Sequence, residues 1–346
     1  MQQKNLFIAL CIFAPLGGFA QTRSPSKAVA VPAVAFNPKR GQLAAGSWKS
    51  VTLFDTTTGK KVQELKGLAG MATGVAFSPD GKLLAASGGI AGKSGEVRLW
   101  DMESGKPLQT LSGHSDTITA LAFSPDSTQI AAVSYDQQVS LWKVRGNGKP
   151  QYLKDHTDSV YGIAFSPDGK RIASVGGDRT VKLWNAATGK RLFTLSESTA
   201  ELYTVAFRPD GRQIAAGGVD KALRIWNLSA TGGSLAKSAF AHEGAILKIA
   251  YSKDGKTLVS SGEDKAVKRW DALTLAEQMV YPAQSDWAQG LALSPDNRLL
   301  AVGRYDGSIT LYEVGSGKVV RELQKASALA KMSPNDPTLQ RPKTPN

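Results

Sequence analysis

Cysteine is almost absent from this sequence, and histidine is scarce. The only cysteine among the 346 residues is Cys11, which lies in an apolar segment near the N-terminus. A single cysteine excludes an intramolecular disulfide framework, a Cys-x-x-Cys zinc site and a Cys-x-x-Cys-His haem site. The three histidines are His114, His156 and His242. We therefore expect a chain that is stabilised by packing and carries neither a metal nor another cofactor.

Long hydrophobic runs are also missing, because the apolar run of residues 6–14 is about half of the roughly 20 residues that a membrane span needs. Lys4 precedes this run, Pro15 ends it, and Gly-Phe-Ala follows at residues 18–20. The pattern predicts a signal peptide at residues 1–20, an exported mature chain that starts at Gln21, and a periplasmic or secreted location. An uncleaved anchor is one alternative. A lipoprotein is another alternative, but it would need a small residue just before Cys11, and Leu10 is not small.

Acidic residues are outnumbered, with 29 Asp and Glu against 42 Lys and Arg, so the formal net charge is +13. Loss of residues 1–20 removes Lys4 and leaves +12. Such an excess favours anionic partners, among them acidic polysaccharides, lipid headgroups, nucleic acids and acidic proteins. Nucleic acid is the least favoured of these partners because the chain is expected to be exported, and we therefore expect no nucleic-acid partner.

One unit recurs seven times along the chain. It contains an apolar strand, a turn of the Ser-Pro-Asp-Gly type, an alternating strand and a third strand that ends in an aromatic residue. The first-strand anchors are Phe36, Phe77, Phe123, Phe165, Phe207, Tyr251 and Leu293. The third-strand anchors are Phe54, Trp100, Trp142, Trp184, Trp226, Trp270 and Tyr312. A repeat of about 42 residues is typical of four-stranded propeller blades.

These units predict an all-β fold, a seven-bladed β-propeller with four antiparallel strands per blade, over residues 29–323. Residues 21–28 form a polar lead-in, and residues 324–346, with four prolines and little periodicity, predict a disordered tail. The first blade matches least well, because Pro32 lies in its first strand and Trp48 stands in a turn. Each blade is expected to be contiguous in sequence, so the ring must close by packing between the first and seventh blades.

The repeated units resemble WD repeats. The Trp-Asp ending survives at residues 100–101 and 270–271, and the Gly-His pair at residues 113–114. The resemblance implies a rigid interaction platform in which one histidine of a blade joins a buried serine, aspartate and tryptophan. Carried over by position, the sets are His156, Ser174, Asp178 and Trp184, and His242, Ser260, Asp264 and Trp270. A third set, His114, Asp136 and Trp142, is expected to lack the hydroxyl, because Ala132 replaces the serine.

A Ser-His-Asp combination also suggests a catalytic triad, but here the combination recurs once per blade at a structural spacing. Three histidines on three different blades cannot converge on one metal ion. We therefore interpret these residues as structural. The residues expected to face the central channel are mostly small or apolar, and include Ala33, Gly74, Ala120, Gly162 and Gly290. They offer nothing for acid or base chemistry, so a propeller enzyme is the disfavoured alternative.

Two surface patterns remain. One edge carries the loops that enter the first strand and those that join the second and third strands. Its candidate partner-binding residues are Trp48, Met71, Tyr135, Tyr161, Tyr203, Trp287 and Tyr305. Clustered aromatic side chains are typical of protein-binding hot spots, although some of these could be covered by neighbouring loops.

The opposite edge carries basic residues in its turns. They are Lys60, Lys82, Lys106, Lys149, Lys170, Arg171, Lys190, Arg212, Lys256, Arg298 and Lys318. The leading hypothesis is a non-catalytic, exported and monomeric scaffold that binds a protein through its aromatic residues. Adhesion to an anionic glycan or envelope surface through the basic residues is the alternative, and an ordinary solvated surface is the simplest interpretation of those charges.

Overall fold

A computed structural model describes residues 29–146 and 149–323. It contains seven antiparallel sheets arranged in sequence order, which confirms the seven-bladed β-propeller. The predicted signal peptide, polar lead-in and C-terminal tail lie outside the described residues. No helix among those residues is long and apolar enough to cross a membrane.

The first three blades contain strands β1 to β11. Blade 1 consists of β1 (Val34–Phe36), β2 (Gln42–Asp55) and β3 (Lys61–Met71). Blade 2 consists of β4 (Gly74–Phe77), β5 (Leu83–Ile90), β6 (Ser94–Asp101) and β7 (Pro107–His114). Blade 3 consists of β8 (Ile118–Phe123), β9 (Gln129–Ser134), β10 (Val139–Lys143) and β11 (Gln151–Leu153).

The remaining four blades contain strands β12 to β27. Blade 4 consists of β12 (Val160–Phe165), β13 (Arg171–Gly176), β14 (Val181–Asn185) and β15 (Arg191–Leu195). Blade 5 consists of β16 (Leu202–Phe207), β17 (Gln213–Gly218), β18 (Ala222–Leu228) and β19 (Gly233–Phe240). Blade 6 consists of β20 (Ile246–Tyr251), β21 (Thr257–Gly262), β22 (Val267–Asp271) and β23 (Glu277–Val280). Blade 7 consists of β24 (Ala288–Leu293), β25 (Leu299–Arg304), β26 (Ile309–Glu313) and β27 (Val319–Leu323).

Blade 1 is built from a single long strand where the other blades have two. The first part of β2 pairs with β1, and its second part, from Trp48 onward, pairs with β3. Lys49 follows Trp48 at the start of the second part and has a positive φ of 57°. The 14 residues of β2 therefore occupy the positions of both the second and the third strand, which accounts for the poor match of this repeat.

The Ser-Pro-Asp-Gly turns hold the first two strands of a blade together. In blade 4, the hydroxyl of Ser166 donates to the carboxylate of Asp168 at 2.6 Å, and the Lys170 N–H donates to the same oxygen at 3.0 Å. These hydrogen bonds lower the pKa of Asp168. Gly169 follows with a φ of 70°, a conformation that glycine adopts at little cost.

The turn after the third strand depends on the residue that follows the tryptophan. Asp101 accepts hydrogen bonds from two backbone N–H groups of its turn, at 3.1 and 2.7 Å. Asn185 accepts the equivalent pair at 3.0 and 2.9 Å. An amide oxygen replaces a carboxylate here without loss of turn geometry, so departures from Trp-Asp leave the blade intact.

The hydrophobic core lies between blades. One cluster joins Val181 and Leu183 of blade 4 to Phe207 and Trp226 of blade 5. Each sheet is thus packed on both faces by its neighbours, and stability depends on a closed ring of such contacts.

The ring closes between blades 1 and 7. The N–H of Val31 donates to the carbonyl of Arg304 at 2.9 Å. Val31 and Val34 share a buried cluster with Ile309 and Leu311. Every described blade is contiguous in sequence, so closure depends on packing and this backbone hydrogen bond, as expected.

Candidate functional site

The predicted histidine sets form hydrogen-bonded chains in blades 4 and 6. Nδ1 of His156 lies 2.8 Å from Asp178, and its Nε2 lies 2.7 Å from the Ser174 hydroxyl, which also accepts from Trp184 Nε1 at 2.8 Å. Because the serine accepts from the indole N–H, its own proton is free to point at Nε2. This polarity leaves Nδ1 as the donor to the carboxylate.

Blade 6 repeats the geometry. His242 Nδ1 lies 3.0 Å from both carboxylate oxygens of Asp264, and its Nε2 lies 2.7 Å from Ser260, to which Trp270 donates at 2.8 Å. Burial lowers the pKa of His242, which favours the neutral ring. Ser260 is fully buried, as is Ser174 of blade 4. Neither serine oxygen is accessible to a substrate carbonyl, and the contacts therefore suit a structural role.

Asp178 is the acceptor at the end of the blade 4 chain. Burial alone would raise its pKa, but the hydrogen bond and charge of His156, the Thr180 hydroxyl and the ammonium of Lys182 outweigh it. Together they lower the pKa of Asp178 to about 2. The carboxylate is consequently ionised throughout the physiological range.

The expectation that blade 3 lacks the hydroxyl is wrong. Ser140 Oγ lies 2.6 Å from His114 Nε2, and Ser140 is the cross-strand partner of Ala132. The hydroxyl comes from the third strand instead of the second. A serine shifted in this way no longer reaches the tryptophan, and the buried Trp142 Nε1 has no hydrogen-bond partner among the described residues.

Sequence reasoning missed two further polar networks. In blade 5, Asp220 accepts from Ser198 and Thr199 at 3.2 and 3.0 Å and lies 2.8 Å from Arg224. Ser198 stands at the histidine register, 22 residues before the aspartate as in the other blades. That spacing was the signal that could have revealed it.

In blade 7 a buried arginine takes the central place. Arg304 donates to Gln284 Oε1 at 2.8 Å, to Tyr312 Oη at 2.8 Å and to Thr310 Oγ1 at 2.9 Å. An arginine can be buried here because these acceptors, together with Ser308 at 3.0 Å, satisfy its donors. Tyr312 stands where most other blades have tryptophan. Its hydroxyl accepts a hydrogen bond from Arg304, which an indole N–H could not do because it only donates.

The inner strands of blades 4 and 5 carry tyrosines at β-bulges. The pairing register shifts at Tyr161 between β12 and β13, and at Tyr203 between β16 and β17. A bulge redirects one side chain out of the regular alternation. Tyr161 consequently packs edge-to-face between Tyr203, at 5.2 Å, and Tyr135, at 6.1 Å between ring centroids.

Tyr161 is nevertheless buried, with only 7% of its surface exposed, which corrects the expectation of an exposed ring. At the equivalent bulge of blade 3, the Thr119 hydroxyl donates to the carbonyl of Val160, and in blade 2 the Thr73 hydroxyl donates to that of Ile118. These two hydrogen bonds join blade 2 to blade 3 and blade 3 to blade 4. Tyr161 makes the same connection with its ring and lies beneath Tyr135 and Tyr203, which are half-buried.

The other predicted aromatic residues are half-buried at the same edge. Trp287 and Tyr305 of blade 7 lie 6.1 Å apart, and Trp48 is the cross-strand partner of Met71 in blade 1. Phe240 was missed by the sequence analysis, although it ends an outer strand at this edge and is 63% exposed. We call Trp48, Met71, Tyr135, Tyr203, Phe240, Trp287 and Tyr305 the aromatic face, with Tyr161 beneath it.

The basic residues predicted for the opposite edge are exposed, except for Arg171, which is half-buried and donates to the carbonyl of Ser229. We call the exposed members the basic face. Asp254 shares this edge, and its carboxylate accepts from Ser252 and from the Lys256 backbone. These hydrogen bonds lower the pKa of Asp254, so the aspartates offset part of the positive charge.

The central channel differs from the expectation at one position. The five small residues named from the sequence do lie in or beside it, but Thr204 and Lys248 occupy the same register in blades 5 and 6. An amine therefore enters a channel that was expected to offer no acid or base group. Alignment with Gly162 and Gly290 would have revealed it.

No group of three or more histidine, cysteine or carboxylate side chains among residues 29–146 and 149–323 is placed to hold a metal ion.

Comparison with family models gives repeated matches. The model described as "WD domain, G-beta repeat" matches residues 59–101, 105–143, 148–185, 189–227 and 233–271. Residues 274–333 match the model described as "Anaphase-promoting complex subunit 4 WD40 domain". No curated protein matches the sequence.

The matched segments start in or beside the turns that follow third strands, and each contains one outer strand and the three inner strands of the next blade. Five such segments cover more than half of the chain, and they agree with the blade order of the structure. The chain belongs to the WD40 repeat family.

Proposed function

We propose that this protein is a non-catalytic, exported scaffold that binds a partner protein through the aromatic face. The observation that carries the proposal is the alignment of aromatic rings from blades 1, 3, 5 and 7 along one edge of the propeller. WD40 propellers generally mediate protein–protein interactions, and this edge presents the largest side chains. Membership of the WD40 repeat family supports a role in protein binding. The choice of the aromatic face as the binding surface rests on the positions of its aromatic side chains.

The energetics favour this face over the basic one. Tyrosine and tryptophan bury large apolar areas and lose few rotatable bonds on binding. Exposed lysines lose more side-chain entropy and gain an attraction that solvent and salt screen. The edge-to-face contacts beneath the surface hold Tyr203 in place before a partner arrives, which reduces the entropy that binding must cost.

Export is proposed on residues 1–20 alone, whose charged start, apolar run and small terminal residues fit a signal peptide. The test is N-terminal sequencing of the protein recovered from an envelope or culture fraction. A mature chain that begins at Gln21 supports export, and an intact N-terminus in the cytoplasm contradicts it.

The binding test starts with affinity capture of a partner from the envelope fraction. Tyr203→Ala and Phe240→Ala together should weaken binding of that partner by about 2–4 kcal/mol if both are hot spots. Tyr161 is left intact, because its removal would disturb the packing of three blades. Leu108→Ala with Leu273→Ala is the matched control, since both leucines are 55% exposed away from the aromatic face. Equal binding by both double variants contradicts the aromatic face.

A second candidate is adhesion to an anionic glycan or envelope surface through the basic face, favoured by its exposed lysines and arginines. Lys106→Glu with Lys190→Glu should then abolish binding to vesicles that contain anionic lipid or to an acidic polysaccharide. Binding driven by these charges falls as salt shortens the screening length, whereas an aromatic anchor is less affected. Binding that is unchanged at high salt would contradict the adhesion candidate.

A further inference from the structure

Residues in or next to the inner strand of every blade line the central channel, one of them at the same register in each blade. Along the chain these residues are Ala33, Gly74, Ala120, Gly162, Thr204, Lys248 and Gly290. They line a cavity of about 170 Å³. A single water needs about 10–15 Å³ by the same measure, so the cavity has room for a group of several atoms. The small residues of five blades create this space.

Lys248 is the one lysine, arginine, histidine or carboxylate side chain that lines the cavity among the described residues. Its ammonium makes no hydrogen bond or ion pair within that part of the chain. Thr204, its neighbour in blade 5, uses its hydroxyl to accept from the backbone of Ile249 at 3.2 Å. Lys248 is half-buried, and it lines the channel.

A lone ammonium in such surroundings is electrostatically unsatisfied. Transfer of a charge out of bulk water is costly unless an opposite charge or hydrogen-bond acceptors replace the lost hydration. Burial accordingly lowers the pKa of Lys248. Elsewhere in the propeller, by contrast, a buried cation such as Lys182 lies 3.1 Å from Asp155.

The mouth of the cavity lies on the side of the aromatic face, where Pro32, Thr73 and Tyr203 line it. The lining also includes Val75, Leu121 and Leu291. Water is confined in such a channel, so it screens the attraction between the ammonium and an anion less than bulk solvent does. The wall supplies no competing negative charge.

We propose that the channel is an oxyanion-binding site in which Lys248 Nζ pairs with a carboxylate or phosphate group that enters from the aromatic face. The group can belong to a free small acid or to an acidic side chain of a bound protein. The chemistry is the same in both cases: two or more oxygens replace the missing acceptors of the ammonium. For a free anion this inference is independent of the proposed binding by the aromatic face, whereas for an acidic side chain of a bound protein it rests on that proposed function.

The affinity should depend on pH in one direction. An anion pairs with the protonated amine, so its affinity is full at pH values where the anion is ionised and the amine is protonated, and it falls as the pH rises through the lowered pKa of Lys248. Tyr203 is the other titratable side chain lining the cavity, and the neighbouring inner strands β16 and β24 place no carboxylate or histidine on it.

The test is an isothermal titration of the purified protein with sodium acetate and with inorganic phosphate, near neutral pH in a buffer without other oxyanions. Lys248→Met removes the charge and keeps the length of the side chain, and Lys256→Met, an exposed lysine of the same blade, is the control. We expect the affinity for at least one anion to fall more than tenfold in Lys248→Met and to change less than twofold in Lys256→Met. Without added anion, Lys248→Met should melt at a higher temperature, since it no longer buries an unpaired charge.

Two further results decide the source of the group. Binding of acetate or phosphate to the wild type that is lost in Lys248→Met supports a free anion. If neither binds, but Lys248→Met weakens the captured partner more than tenfold while Lys256→Met does not, the oxyanion belongs to that partner. If Lys248→Met alters neither kind of binding, the site is overturned. The aromatic face is tested separately by the Tyr203 and Phe240 variants.

Discussion

At the scale of the residue, each of blades 3 to 7 surrounds an aspartate in the turn between its second and third strands with hydrogen-bond or ion-pair partners, but the partners differ. Blades 3, 4 and 6 use a histidine, and blade 5 uses Ser198, Thr199 and Arg224. Blade 7 uses Ser285 and Ser308 for Asp306, and buries Arg304 beside it. The common requirement is a satisfied carboxylate at the turn between the second and third strands.

This requirement predicts the effect of removing the carboxylate. Asp178→Ala and Asp264→Ala should each lower the free energy of unfolding by about 1–3 kcal/mol, because each leaves buried donors without an acceptor. Asp220→Ala should cause a loss in the same range, because Asp220 contacts Ser198, Thr199 and Arg224.

The measurement is urea unfolding of the three variants, with Asp210→Ala, an exposed turn aspartate outside these networks, as the control. The control should change the free energy of unfolding by no more than about 0.5 kcal/mol. If Asp220→Ala left the free energy of unfolding unchanged, the contacts of Asp220 would not stabilise the blade.

The lowered pKa of Asp178, about 2, also predicts a dependence of stability on pH. The unfolded carboxyl has a pKa near 3.8, so folding favours the ionised form. The stabilisation is complete above about pH 4 and is lost as the pH falls towards 2.

In Asp178→Asn this contribution is absent. The difference in free energy of unfolding between the wild type and the variant should therefore shrink by about 2 kcal/mol between pH 6 and pH 2. Chemical unfolding at a series of pH values measures it. A constant difference over this range would contradict the assigned role of the carboxylate.

At the scale of the element, the inner strands determine how blades join. A bulge at the start of each inner strand from blade 3 to blade 7 redirects one side chain towards the next blade or the aromatic face. Threonine uses the position for a hydrogen bond, and tyrosine uses it for ring packing. The element is therefore both the seam between blades and the support of the proposed binding surface.

The seam between blades 1 and 7 has no covalent closure, so it should be sensitive to volume. A Cβ added to Gly303 would lie 2.6 Å from Val31 Cγ1, whereas one added to Gly315 would meet nothing within 4 Å. Neither glycine has a positive φ. Gly303→Ala should therefore destabilise the protein by about 1–3 kcal/mol through overpacking, and Gly315→Ala should be neutral or slightly stabilising.

Thermal unfolding compares the two variants, and amide hydrogen exchange locates the effect. In Gly303→Ala the faster exchange should appear first in β1, β24 and β25. Uniformly faster exchange in all blades would show that the seam is not the weakest point of the ring.

At the scale of the whole molecule, the described strands run from Val34 to Leu323, and residues 29–33 complete the contact with blade 7. A chain of residues 29–323 should consequently fold alone. Its melting temperature should lie within about 4 °C of that of residues 21–346, since roughly 1 kcal/mol would shift a protein of this size by 2–4 °C. Thermal melts of both chains test this, and loss of a cooperative transition in the shorter one would place an essential element outside it.

The sequence by itself determined the blade number, the strand order and the turns, because hairpins of neighbouring residues repeat the same side-chain pattern at a nearly constant spacing. The turn aspartates and the histidine sets followed from that register. The sequence also assigned the aromatic residues to one edge of the propeller. In an antiparallel blade, the loop before the first strand and the loop between the second and third strands lie at the same edge.

Only the tertiary structure decided which of these side chains are exposed and which are satisfied. Tyr161 is buried and Phe240 is exposed because of contacts between blades, which no single repeat contains. Ser140 could replace a missing serine because it lies across the strand pair from Ala132. Seven inner strands line one channel, and whether Lys248 has a counter-charge there depends on the residues that all seven blades place in it. The repeat that contains Lys248 does not reveal this by itself.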